Sequence, residues 1–114
     1  GKIFVELENQ LPETLNAIPL VVQNNFYGIL LEVLNNVEKH SLATKITISN
    51  YMDDQDNLHV LFEDNGIGIE KNHKEGIGLL NIKQRVEIIE GSCLIEKTES
   101  GTQVHINFPI QIDL

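Results

Sequence analysis

The chain has 114 residues, 41% apolar and 22% charged, a composition that suits one domain with one hydrophobic core and excludes a disordered segment. Its net charge of −9 argues against nucleic acid and anionic membrane surfaces as partners, since both need a basic footprint. No apolar run reaches the roughly 20 residues of a membrane span, and Gly1–Leu11 mixes charged and apolar residues instead of forming the apolar block of a signal peptide. The single Cys93 can form no internal disulfide, as expected in a reducing compartment. Beginning on Gly1, the chain reads as a piece of a longer protein, and residues 1–114 read as one domain without repeats or linkers.

Ile3, Val5 and Leu7 alternate with Lys2, Phe4, Glu6 and Glu8, which predicts a short strand. Gln10–Ala17 contains Pro12 and reads as a connection. Val22, Phe26, Ile29, Leu30, Val33 and Val37 recur at helical spacing and predict a long helix over Leu20–His40, with Pro19 at its start. Lys45–Met52 and Leu58–Glu63 are rich in β-formers around the polar Asp53–Asn57 and predict a hairpin. Asp64–Glu75 is a glycine-bearing loop. Gly76–Glu90 carries Leu79, Ile82, Val86 and Ile89 at helical spacing, with Gly91 placed to end the helix. A second hairpin, Ser92–Thr98 and Thr102–Phe108, turns at Glu99–Gly101. This order favours helices on one face of a mainly antiparallel sheet.

Four features carry chemistry. At about 100° per residue, Asn25, Gly28, Glu32, Asn36 and Lys39 form a row on the long helix, apart from the apolar stripe. A carboxylate, an amide and an ammonium in one row suit a metal–phosphate site, although a solvated helix face has the same pattern. Asp64-Asn65-Gly66-Ile67-Gly68 follows an apolar strand; its glycines would let backbone approach a flat ligand, and Asp64 could accept from an exocyclic amine. Taken alone it is also good turn chemistry. Gly76-Ile77-Gly78-Leu79 opens a helix, where backbone N–H groups can hold phosphate. Gly101-Thr102 opens the last strand. Neither glycine pair has the third glycine of a dinucleotide-binding fingerprint, since Lys71 and Asn81 stand there, and no Walker loop occurs.

In order and spacing these segments resemble the ATP-binding catalytic domains of bacterial sensor histidine kinases, of the class that partners NarL-type response regulators. Leu31–Ser41 resembles their N-box, Asp64–Ile69 their first glycine box, Gly76–Val86 their second, and Gly101–Val104 their closing Gly-Thr segment. The resemblance spans about positions 20–109 and implies an α+β fold: a two-layer sandwich of the Bergerat type, with a mixed, mainly antiparallel sheet and helices on one face. It implies ATP and Mg²⁺ as cofactors. Asn36 would ligate Mg²⁺, Glu32 would activate or orient the phosphoryl acceptor, and Lys39 would contact phosphate. Asp64 would receive the adenine amine with Thr102 in support, and His40 would lie on the adenine side. Gly66, Gly68, Gly76, Gly78 and Leu79 would shape the pocket, with residues 70–75 as a short lid.

The partners implied are a dimerisation domain bearing the acceptor histidine and, through it, a response regulator. The place implied is the cytoplasmic side, with the parent protein free or anchored in the inner membrane. A serine kinase of the anti-sigma-factor type, and a nucleotide-binding module without catalysis, share the boxes and remain alternatives. Gly28 stands where relatives often carry Arg, which removes a polar contact near the helix, and Glu38 sets an acid beside Lys39. His59 and His105 read as ordinary strand residues and His73 as a loop residue. No histidine sits in an acceptor-like helix, and no His/Cys spacing suggests zinc.

Overall fold

The computed structural model describes residues 3–8, 18–40, 43–66 and 77–110, without the side chains of residues 39, 40, 77 and 78. In chain order the elements are β1 (Phe4–Leu7), α1 (Leu20–His40), β2 (Lys45–Met52), β3 (Asn57–Asp64), α2 (Ile77–Ile88), β4 (Ser92–Thr98) and β5 (Gly101–Pro109). The strands form one sheet in the order β1-β2-β3-β5-β4. β1 runs parallel to β2 and the other pairs are antiparallel, so the sheet is mixed and mainly antiparallel.

Side-chain alternation sorts the two faces. Ile46 and Ile48 of β2, Leu58, Val60 and Phe62 of β3, and Val104, Ile106 and Phe108 of β5 are buried on one face. Against them lie Phe26, Ile29, Val33 and Val37 of α1, Leu79, Ile82 and Val86 of α2, and Ile89 just past its end, the two stripes the helical spacing predicts. Each such side chain contributes about 1.5–3 kcal/mol by leaving water. Phe26 also packs on Phe108 with ring centres 5.5 Å apart and planes at 45°, a tilted geometry that suits the ring quadrupoles. The opposite face carries Thr47, Ser49, His59, Leu61, Gln103 and His105, all half-buried, with Tyr51 and Glu63 exposed.

α1 begins on the carbonyl of Pro19, which accepts from the backbone N–H groups of Val22 and Gln23. α2 ends at Ile88, ahead of the Gly91 expected to stop it, and the left-handed residue there is Glu90, at φ 61°. The N–H of Gly91 reaches back to the carbonyl of Val86 and that of Glu90 to Glu87, which satisfies two of the helix's last carbonyls.

Candidate functional site

β3 ends at Asp64, paired in register with Ile46 on one side and Thr102 on the other. Asp64 shares its parity with Leu58, Val60 and Phe62, and Thr102 with Val104 and Ile106, so both side chains start from the helix-covered face. The Asp64 carboxylate is half-buried and accepts the Gly66 N–H at 2.9 Å. Burial pushes its pKa up, and the backbone N–H groups of Gly66 and Thr102 pull part of the way back. Beside it the Thr102 hydroxyl is buried with no hydrogen-bond partner among the described residues, an arrangement that costs about 1–3 kcal/mol.

Gly101 makes this neighbourhood possible. Its φ is +155°, and a Cβ there would stand 1.7 Å from the Asp64 carbonyl oxygen. Asn65 pins the other side: its Oδ1 accepts the N–H groups of Thr44 and Lys45 at 2.9 and 3.0 Å, and its Nδ2 donates to the Thr44 hydroxyl at 3.0 Å. Asn65 reads in sequence as turn chemistry, yet it ties the first glycine box to the start of β2.

From Asn25 to Asn36 the polar row of α1 is not a solvated face. Asn25 is buried, and Gly28, Glu32 and Asn36 are half-buried. Helix α2 supplies the cover. Asn81 Nδ2 donates to Glu32 Oε1 at 3.3 Å, and Arg85 Nη1 donates to Asn25 Oδ1 at 3.3 Å. The Arg85 guanidinium lies over Gly28, where an added Cβ would meet Cζ at 2.4 Å. The contact expected to be missing at Gly28 is thus filled by a cation from the facing helix. Asn81 and Arg85 escaped the sequence reading, and their only sequence signal is a spacing of four residues beside the apolar stripe of α2.

Leu79 is buried in the core cluster. The backbone at Lys39, His40 and Gly78 is helical, while the side chains of Lys39 and His40 lie outside the described residues, as do Gly68, Gly76, residues 70–75 and His73. On the outer face His59 and His105 are more than ordinary strand residues. His59 Nδ1 and His105 Nε2 are 2.8 Å apart, and His59 Nε2 is 2.8 Å from Asp53 Oδ2. Tyr51 stacks on the His59 ring at 4.4 Å. Among the described residues, no three of His, Cys, Asp or Glu are grouped to hold a metal ion, and no helix is long and apolar enough to cross a membrane.

Residues 21–112 match the family described as histidine kinase-, DNA gyrase B- and HSP90-like ATPases. The chain belongs to this family. The sensor histidine kinase YdfH of Bacillus subtilis is 41% identical over 92 residues, which cover 76% of this chain and 23% of that protein. The nitrate/nitrite sensor protein NarX of Escherichia coli is 29% identical over 107 residues, covering 91% of this chain and 17% of that protein. The chain therefore spans a quarter or less of these relatives. Among solved structures, the histidine kinase domain of the Erythrobacter litoralis EL346 blue-light activated histidine kinase superposes with a TM-score of 0.81 at 20% identity, covering 96% of this chain and 56% of that one. The ATP-binding domain of PrrB from Mycobacterium tuberculosis superposes with a TM-score of 0.74 at 17% identity, over 97% and 82% of the two chains. The fold is thus the α+β arrangement that the residue pattern anticipates, with helices on one face of a mainly antiparallel sheet.

Proposed function

We propose that this ATPase-family domain binds ATP with Mg²⁺ and supplies the γ-phosphoryl group to a histidine on a separate dimerisation domain of the same kinase. From there the phosphoryl would pass to a response regulator, on the cytoplasmic side. The observation that carries the reading is the pair at the end of β3: a half-buried carboxylate, Asp64, beside the buried, unpartnered hydroxyl of Thr102. A carboxylate can only accept and a hydroxyl can do both, which suits the exocyclic amine and ring nitrogen of adenine. YdfH is by name a sensor histidine kinase, which favours a histidine over a serine as acceptor.

Asn36 offers one amide oxygen from α1, and Mg²⁺ carried on a triphosphate takes few ligands from protein. The ion would supply charge neutralisation at the phosphates. Lys39 and the N–H groups at the start of α2 would add the local positive field that a net charge of −9 otherwise opposes. In the transfer, a neutral imidazole nitrogen forms the N–P bond as the bond from the γ-phosphorus to the bridging oxygen breaks, and ADP leaves. Glu32 would take the proton from the other imidazole nitrogen. Such a step depends mainly on positioning and electrostatics.

Titration calorimetry with and without Mg²⁺ tests the binding, and single-turnover transfer to a supplied histidine-bearing domain tests the chemistry. Asn36→Ala should abolish the Mg²⁺-dependent part of ATP affinity, and Glu32→Gln should leave binding nearly intact while slowing transfer on the order of 10²–10⁴-fold. Loss of affinity in Glu32→Gln with normal transfer per bound ATP would reverse the two assignments.

A further inference from the structure

Helix α2 faces the polar row of α1 with two side chains one turn apart. Arg85 bonds Asn25 Oδ1, and Asn25 is held in that orientation because its Nδ2 donates to the Val21 carbonyl at 2.7 Å. The guanidinium then spreads over Gly28, the position in the row where the absence of a side chain leaves it room. One turn towards the N-terminus of α2, Asn81 reaches Glu32 Oε1. Phe26, Ile29 and Val33 of α1 belong to the same core cluster as Ile82 and Val86 of α2. The polar seam therefore sits on a rigid base.

A glutamate side chain has three rotatable bonds and loses considerable freedom when fixed. A carboxylate meant to receive a proton must hold one oxygen still while the other stays open to the reacting group. Asn81 engages only Oε1. We propose that Asn81 is the positioning residue for Glu32: its amide fixes the carboxylate so that Oε2 is presented to the phosphoryl acceptor, while the Arg85–Asn25 bond over Gly28 keeps the two helices at the spacing this requires. The inference rests on the reading of Glu32 as the group that acts on the acceptor. It adds a residue from the second glycine box to that function, and it gives Gly28 a reason to lack a side chain.

The test is single-turnover transfer from ATP–Mg²⁺ to the histidine-bearing domain, run beside calorimetric binding and a thermal midpoint for each variant. Asn81→Ala should slow transfer about 10- to 100-fold, the range expected for a misplaced reacting group, with the dissociation constant for ATP–Mg²⁺ within about twofold of the parent, a spread well below one tenfold step in affinity. Asn81→Asp should be slower than Asn81→Ala, because it sets a second carboxylate against Glu32. Asn81→Gln, which restores an amide donor, should recover part of the rate. The double variant Glu32→Gln/Asn81→Ala should be no slower than Glu32→Gln, since a positioner has nothing left to position.

Full transfer in Asn81→Ala alongside slow transfer in Glu32→Gln would overturn the positioning role while leaving the role of Glu32 in place. Additive losses in the double variant, or equal losses of binding and transfer, would overturn it in favour of a structural bond. Normal transfer in Glu32→Gln would remove the reading on which the inference stands, and the inference with it.

Discussion

Asp64 meets opposed demands, since burial favours its neutral form while a base-reading role needs an acceptor. Burial wins only in part, because the N–H groups of Gly66 and Thr102 lie against the carboxylate. An amine donor from a bound base would complete the compensation. Asp64→Asn lets the side chain turn an N–H toward that amine, so we expect adenine nucleotide affinity to fall by about 1.5–3 kcal/mol, the worth of a charge-assisted bond, with discrimination against guanine nucleotides relaxed. Calorimetry with ATP and GTP checks it, and unchanged affinity for ATP would remove Asp64 as the base reader. Asn65 shows why this site is only partly legible from residues. The triplet Asp-Asn-Gly reads as a turn, and nothing local reveals that the asparagine's oxygen will meet two backbone donors twenty positions upstream.

Elements were the most legible scale. The period of Val22, Phe26, Ile29 and Val33 predicts α1 over Leu20–His40, the span observed, and both hairpins lie where the β-rich runs and polar turns place them. Long amphipathic segments announce themselves because one face must leave water. What stayed hidden is polar on polar: a side chain facing another helix has the same periodic signature as one facing solvent, so Asn81 and Arg85 could not be told from surface residues. Helix ends were legible to within two residues, α2 stopping at Ile88 and not Glu90, and the difference matters for stability. Glu90 occupies a left-handed position that costs a side-chain-bearing residue roughly 1–2 kcal/mol, and it brings a negative charge to the negative end of α2. Glu90→Gly should therefore stabilise the domain by about 1 kcal/mol, read as a shift of the urea midpoint at constant slope. A destabilised variant would mean that Glu90 makes a compensating contact.

Across the whole molecule the two faces of the sheet divide the work: one is sealed by helices, and the other carries a chain of side chains from Asp53 through His59 to His105. The hydrogen bond from His59 holds Asp53 at about 2, below its ordinary 3.8. Burial first, and then the charge of His59, hold His105 below its ordinary 6.5, against the pull of Glu96. A base that is harder to protonate when folded contributes stability that is whole above its unfolded pKa, here 6.5, and is lost as pH falls from there toward the folded value. Asp53 adds a loss of the same sign between 3.8 and about 2, whereas the raised Asp64 contributes the opposite sign as the solution is acidified. His105 should thus make stability fall as pH drops below 6.5, and in His105→Gln that contribution should shrink, as followed by denaturant unfolding at each pH. An identical pH dependence in the variant would show that His105 titrates as it does in the unfolded chain. The sheet also has an end as well as faces. β1 pairs only with β2 within the described residues, and it exposes Phe4, Val5 and Leu7, leaving a row of backbone donors and acceptors that a further strand could use. Colloidal behaviour should be decided there. Mutual repulsion between copies carrying −9 is long-ranged and is screened within about 10 Å at 0.1 M salt, whereas strand-to-strand pairing is short-ranged and neutral. Added salt should therefore lower the concentration at which the isolated domain self-associates in light scattering, the reverse of what ionic contacts between copies would give.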